Sequence, residues 1–231
     1  MQIADFALER YFARWEFAVR HVLCASDVES VSLGELLALA DDDSRERWET
    51  LRLGYTESLG LPVLRDEIAA LYPGLTPDDV VTFAGAEEAL FLCMHALIGP
   101  GDHAVVAWPA YQSLHEVARS AGGTVTLVPL DERDWSLDPD AVGAAMRPST
   151  KVIVVNSPHS PTGAQLSLGV MHRLVEIAEL HGATLFSDEV YRFLEHDAAP
   201  LTPAASSSSR GVSLGVMSKA FGLAGLRVGW L

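Results

Sequence analysis

Short Val- and Ile-rich runs, separated by stretches of helical periodicity, constrain this chain more than any other feature. DHAVVAWP, TVTLVPL, KVIVVNSP, ATLFSDEV and VSLGVMS each read as a strand carrying apolar side chains on both faces. Between them GAEEALFLCMHALI, QSLHEVARSAG, DPDAVGAAM and LGVMHRLVEIAELHG repeat apolar residues at helical spacing. Strands that are apolar on both faces must be covered on both, and strands joined through helices run parallel. The pattern predicts an α/β fold, a three-layer α-β-α arrangement around a mostly parallel sheet. LPVLRDEIAALY is a further predicted helix, DDVVTF a strand, and LRVGWL the start of another. Residues 197–211, rich in Pro and Ser, read as a surface loop.

The first forty or so residues lack this rhythm. The expected division is an arm or part of a small domain over 1–45 and an incomplete large domain over 46–231. A formal charge of −15 argues against nucleic acid, which needs clustered Lys and Arg. No apolar stretch has the length of a membrane span and no signal pattern opens the chain, so a cytoplasmic location is the default expectation. Of the two cysteines, Cys93 lies in the apolar run ALFLCMHALI and reads as a small buried hydrophobe.

In a parallel α/β sheet, ligands bind at the carboxyl edge, so the residues after each strand carry the functional information. After TF come Ala84-Gly85-Ala86-Glu87, small residues opening a helix, where backbone N–H groups can receive an anion. After VVAW comes Tyr111, and after VIVV come Asn156 and the turn-rich loop Ser157-Pro158-His159-Ser160-Pro161-Thr162-Gly163. After TLFS come Asp188 and Tyr191; after LGVM come Ser218 and Lys219, with Arg227 beyond them. His159 reads as a solvated loop histidine.

An anion cradle, a flat aromatic, a carboxylate, an amine and a guanidinium on one sheet edge match the needs of pyridoxal 5′-phosphate. Its aldehyde needs a lysine amine, its ring nitrogen a carboxylate, and its phosphate N–H donors and an arginine. Among sixteen Lys and Arg residues only two are lysines. Lys151 begins a strand, on the opposite edge, so elimination points to Lys219. Dinucleotide, P-loop, zinc and serine-hydrolase motifs are absent.

These motifs, in this order from about Tyr55 onward, resemble the class I/II aminotransferases of pyridoxal-phosphate fold type I. SKAFGLAGLRVGW (218–230) carries the most specific part of the likeness. The resemblance implies that Lys219 forms the Schiff base, with Ser218 and Arg227 at the phosphate. It makes Gly85, Ala86 and Glu87 the phosphate loop and stacks Tyr111 on the ring. Asp188 falls on the ring nitrogen and Tyr191 on the ring hydroxyl. Tyr55 matches a tyrosine that crosses a homodimer interface to the neighbouring phosphate. The implied activity transfers an amino group between an amino acid and a 2-oxo acid, with Lys219, Asp188 and Tyr191 as the catalytic set.

The chain departs from the family pattern in three places. Ser160 stands where the family usually has an asparagine, which leaves either Ser160, through a water, or Asn156 to serve the ring hydroxyl. Val216 occupies a position that is often a phosphate-binding serine. The sequence also ends at Leu231, where family members continue into another lobe, so a fragment or a catalytically impaired remnant is an expectation. A pyridoxal-phosphate lyase, cyclase or β-replacement enzyme, capreomycidine-synthase-like, shares every residue named.

Overall fold

The computed structural model describes residues 3–196 and 199–231. Three short helices come first: α1 (Ala7–Trp15), α2 (Leu33–Ala38) and α3 (Asp42–Glu49), none with a buried residue. Then α4 (Pro62–Ala69) leads into β1 (Thr82–Phe83), α5 (Ala86–Leu97), β2 (His103–Trp108) and α6 (Ser113–Ser120). The alternation continues through β3 (Thr124–Pro129), α7 (Pro139–Ala145), β4 (Thr150–Asn156), α8 (Leu168–His181) and β5 (Thr184–Asp188). It ends with α9 (Ala204–Ser207), β6 (Gly211–Val216) and β7 (Gly229–Trp230).

The strands form one seven-stranded sheet in the order β1-β7-β6-β5-β4-β2-β3. β3, β2, β4, β5 and β6 are parallel, and β7 pairs antiparallel with both β6 and β1. Successive strand residues face opposite ways, and the core divides accordingly. Ala104, Val106, Val152, Val154 and Phe186 pack with residues of α5 and α6. Val105, Ile153, Val155 and Leu185 pack with residues of α7 and α8 on the other face. Each buried Val, Ile, Leu or Phe side chain among these contributes about 1.5–3 kcal/mol. The three layers follow from this two-residue period.

Ends are set locally. Ser167 caps α8 by accepting the Val170 N–H, and Gly182, in the left-handed conformation at φ 66°, closes it. The segment read as a surface loop at 197–211 is different: α9 lies in it, Ala204 is wholly buried, and Leu201 packs against the core. Glu189 draws this segment in, because its carboxylate accepts the Ala204 N–H at 3.0 Å. Asp197 and Ala198 of that segment lie outside the described residues.

Candidate active site

β5 and β6 run parallel and end side by side, with Asp188 opposite Leu214. Asp188, the last residue of β5, is 6% exposed, and its Oδ1 accepts the Val190 N–H at 3.2 Å. Burial pushes its carboxyl up to about 7. The Val190 N–H and the Lys219 ammonium oppose that shift, while the charges of Glu189 and Glu87 add to it. Near neutral pH this acid is therefore poised between its two forms.

β6 delivers Lys219. Its Nζ donates to Ser26 Oγ at 2.8 Å and to Asp27 Oδ1 at 2.9 Å, and lies 5.7 Å from the centre of the Tyr191 ring. The other lysine, Lys151, sits near the amino end of β4, 3.9 Å from Asp102. The two lysines thus occupy opposite edges of the sheet.

The start of α5 forms the third part of the site. Gly85 precedes the helix at φ 101°, a conformation that disfavours side chains, and no side chain caps the helix. A Cβ at Gly85 would fall 2.4 Å from the Arg227 guanidinium, and one at Gly229 would fall 2.5 Å from the Gly85 carbonyl carbon. Bare backbone, a helix N-terminus and a guanidinium therefore meet at one corner. That chemistry fits a phosphate group.

Tyr111 follows β2, and its O–H donates to Glu9 Oε1 at 2.5 Å, with Phe6 edge-on at 6.1 Å. Burial, reinforced by Glu9, pushes the phenol up. Glu87 accepts from Ser113 Oγ at 3.0 Å, and burial raises its carboxyl as well. Tyr191 follows β5 as Tyr111 follows β2, so both phenols belong to the same edge.

Other sequence candidates are held differently. Asn156 spends its amide on the backbone, donating to the Asp188 carbonyl and accepting from the Ser160 N–H, each at 2.9 Å. Ser218 is half-buried beside Lys219. Val216 is buried and pairs with Gly229. Tyr55 is fully exposed. His159 is not solvated: it is 6% exposed, donates from Nε2 to the Pro109 carbonyl at 2.8 Å, and meets Thr162 Oγ1 at 2.7 Å through Nδ1. It is the bolt between its loop and the end of β2. Arg192 has a side chain only 11% exposed, lies 3.9 Å from Glu189 and donates to the Leu201 carbonyl.

Sequence reasoning missed Glu9, Ser26 and Asp27. They reach the site from more than 100 residues away, and no local pattern marks them. Glu189 was also missed: its Oε1 accepts from Ser213 Oγ at 2.8 Å in a buried setting. Its place beside Asp188, on the alternate face of the chain, was the available signal.

The family model described as aminotransferase class I and II matches residues 38–231. The chain belongs to the class I and II aminotransferase family. Among its relatives is a probable aspartate/prephenate aminotransferase of Thermus aquaticus, 35% identical over 76% of this chain and 48% of that protein. Capreomycidine synthase of Streptomyces vinaceus is 38% identical over 99% of this chain and 58% of that protein. A solved PLP-dependent aminotransferase from Streptococcus suis 89-1591 superposes over 100% of this chain and 62% of its own, with a TM-score of 0.90 at 31% identity. The chain spans about half the length of the aminotransferases it matches. The sheet is that of the aminotransferase large domain, fold type I. Pyridoxal phosphate is the family's cofactor.

Proposed function

We propose that this chain carries the cofactor-binding part of a pyridoxal-phosphate-dependent aminotransferase, which moves an amino group between an amino acid and a 2-oxo acid. The observation that carries this reading is the convergence of Lys219, the buried Asp188 and the Gly85–Arg227 corner on one sheet edge.

Bound pyridoxal phosphate supplies an electron sink for the charge left when a proton leaves the substrate Cα. The protein holds it through identifiable groups. Lys219 is the amine that would join the aldehyde, and its Nζ would also serve as the base that moves the proton. Asp188 would face the ring nitrogen, where a cationic partner favours its ionised form. The Gly85-Ala86-Glu87 backbone and Arg227, with Ser218 nearby, would bind the phosphate. Tyr111 offers its ring for stacking and Tyr191 its hydroxyl to the ring oxygen. Asn156 and Ser160, bonded to each other, set the loop beside them, and Asn156 fixes the end of β5. Tyr55, wholly exposed here, would reach the phosphate of a neighbouring subunit in a homodimer. Among the described residues no helix is long and apolar enough to cross a membrane, which is compatible with the cytoplasm as the working location.

A second reading has its own support. The match to capreomycidine synthase extends over nearly the whole chain, including the N-terminal segment, whereas the match to the Thermus aquaticus aminotransferase covers three quarters of it. A lyase, cyclase or β-replacement reaction would use the same cofactor-holding residues. Protein mixed with pyridoxal phosphate should show the absorption band of lysine-linked cofactor, lost in Lys219→Ala. An amino acid should then convert that band to the pyridoxamine form, and a 2-oxo acid should restore it. A band that no amino acid converts would overturn transamination in favour of the second reading.

A further inference from the structure

The N-terminal segment lies against the site at two places. Around Tyr111 it is pinned by Glu9 and by a double clasp with Gln112. The Ala7 N–H donates to Gln112 Oε1 at 3.1 Å, and Gln112 Nε2 donates to the Asp5 carbonyl at 2.9 Å. Around Lys219 it is pinned by Ser26 and Asp27. The next residues, Val28 to Ser30, pack so closely on Gly222 that a Cβ there would lie 3.1 Å from the Glu29 carbonyl oxygen.

We propose that Ser26 and Asp27 form a seat for a cationic group on the substrate side chain, so that the amino acid taken is one bearing a second ammonium or a guanidinium. This inference rests on the aminotransferase reading and names the substrate class of that same site. The seat already holds a cation of the right kind: the primary alkylammonium of Lys219, gripped by a hydroxyl and a carboxylate at hydrogen-bond distance. When the Nζ joins the cofactor aldehyde, that ammonium is no longer available to Asp27. Arg10 pairs with Asp5 at 3.4 Å, Arg14 lies over the Trp15 ring at 4.6 Å, and among the described residues Lys219 is the sole ion-pair partner of Asp27.

Asp27, whose side chain is 47% exposed, is then open to a cation that enters from solvent. The substrate's α-amine is a poor substitute, because its nitrogen must give up its proton and enter the reaction. A side-chain cation persists through every step. Glu9 and the half-buried Glu87 add negative charge to the same edge and repel acidic side chains.

Two measurements test this. In the full chain loaded with pyridoxal phosphate, the cofactor spectrum is titrated with L-arginine, with its neutral isostere L-citrulline, and with L-glutamate. Arginine should be favoured over citrulline by up to about fivefold, the worth of one half-exposed charge pair, and glutamate should be weakest. In Asp27→Asn the preference for arginine should collapse while the citrulline value stays put. Equal losses for arginine and citrulline would overturn the proposal and assign Asp27 to the α-amine or to Lys219 alone. The second measurement needs no cofactor. Calorimetry with cofactor-free Lys219→Ala, whose seat is vacated, should show arginine binding more tightly than citrulline, and the difference should vanish in Lys219→Ala/Asp27→Asn. No difference in Lys219→Ala overturns the seat whatever the cofactor experiment gives. A difference there, with no cofactor band in the parent chain, would retain the seat and sink the aminotransferase reading.

Discussion

The side-chain amide of Asn156 donates to the backbone carbonyl of Asp188 at 2.9 Å, tying the end of β4 to the end of β5. The same side chain accepts the Ser160 N–H, so one residue sets both the height of Asp188 and the start of the following loop. Asn156→Ala leaves a buried carbonyl and a loop N–H without these partners. The expected cost is about 1–3 kcal/mol of stability, read as a lower urea midpoint at unchanged slope. Pyridoxal phosphate should also bind more weakly, because the Asp188 carbonyl is left with only the Ser157 N–H, at 3.0 Å, to hold it to the end of β4.

Gly85→Ala attacks the phosphate corner without touching a charge. The added methyl would need the left-handed backbone and would strike the Arg227 guanidinium. Strain of about 1–3 kcal/mol at such a position corresponds to roughly tenfold or greater weakening of cofactor binding if it is relieved by displacing Arg227. Fluorescence titration with pyridoxal phosphate measures it. An unchanged affinity would remove Gly85 from the phosphate site.

The raised carboxyl of Asp188 gives a pH dependence of defined sign. Between its unfolded value of 3.8 and its folded value of about 7, the folded chain keeps a proton that the unfolded chain has lost. This group's contribution to stability therefore falls as pH rises through that window and is flat above it. The full shift corresponds to roughly 4 kcal/mol as an upper bound, at 1.36 kcal/mol per pKa unit. Buried Glu189 and half-buried Glu87 shift in the same direction, so the comparison must be with a variant. Cofactor-free Asp188→Asn should lose less stability than the parent between pH 5 and pH 8 in urea titrations.

Phe186 is fully buried in the middle of β5, two residues before Asp188. Phe186→Ala should cost roughly 3–5 kcal/mol, because the surrounding α5 and β-sheet side chains cannot fill the cavity. Thermal unfolding of the cofactor-free chain measures it.

The layers and strand positions were legible in the sequence because they depend on local period and on apolar runs. DHAVVAWP and KVIVVNSP lie where β2 and β4 are, within a residue or two at each end. The site residues at strand ends, Asp188 and Lys219 among them, were legible because topology carries every such end to one edge. What the sequence concealed depends on contacts without a local signature. The Ser-rich segment at 197–211 looks solvated until Glu189 is seen to bond the Ala204 N–H. His159 looks solvated until the Pro109 carbonyl, 50 residues earlier, is brought to its ring. The seat at Ser26 and Asp27 is more hidden still, since it spans 192 residues to Lys219.

The position of β7 between β6 and β1 also governs the order in which this site can come into being. Among the described residues β1 has no neighbour in the sheet other than β7, and Gly85, just after β1, is packed against Gly229. A ribosome makes the glycine corner early and its lining strand more than a hundred residues later. The nascent chain can therefore display Gly85 long before it can close a phosphate pocket around it. On the proposed function, capture of the cofactor becomes an event of the finished sheet, and a chain stalled before Gly229 would present the lysine without the grip.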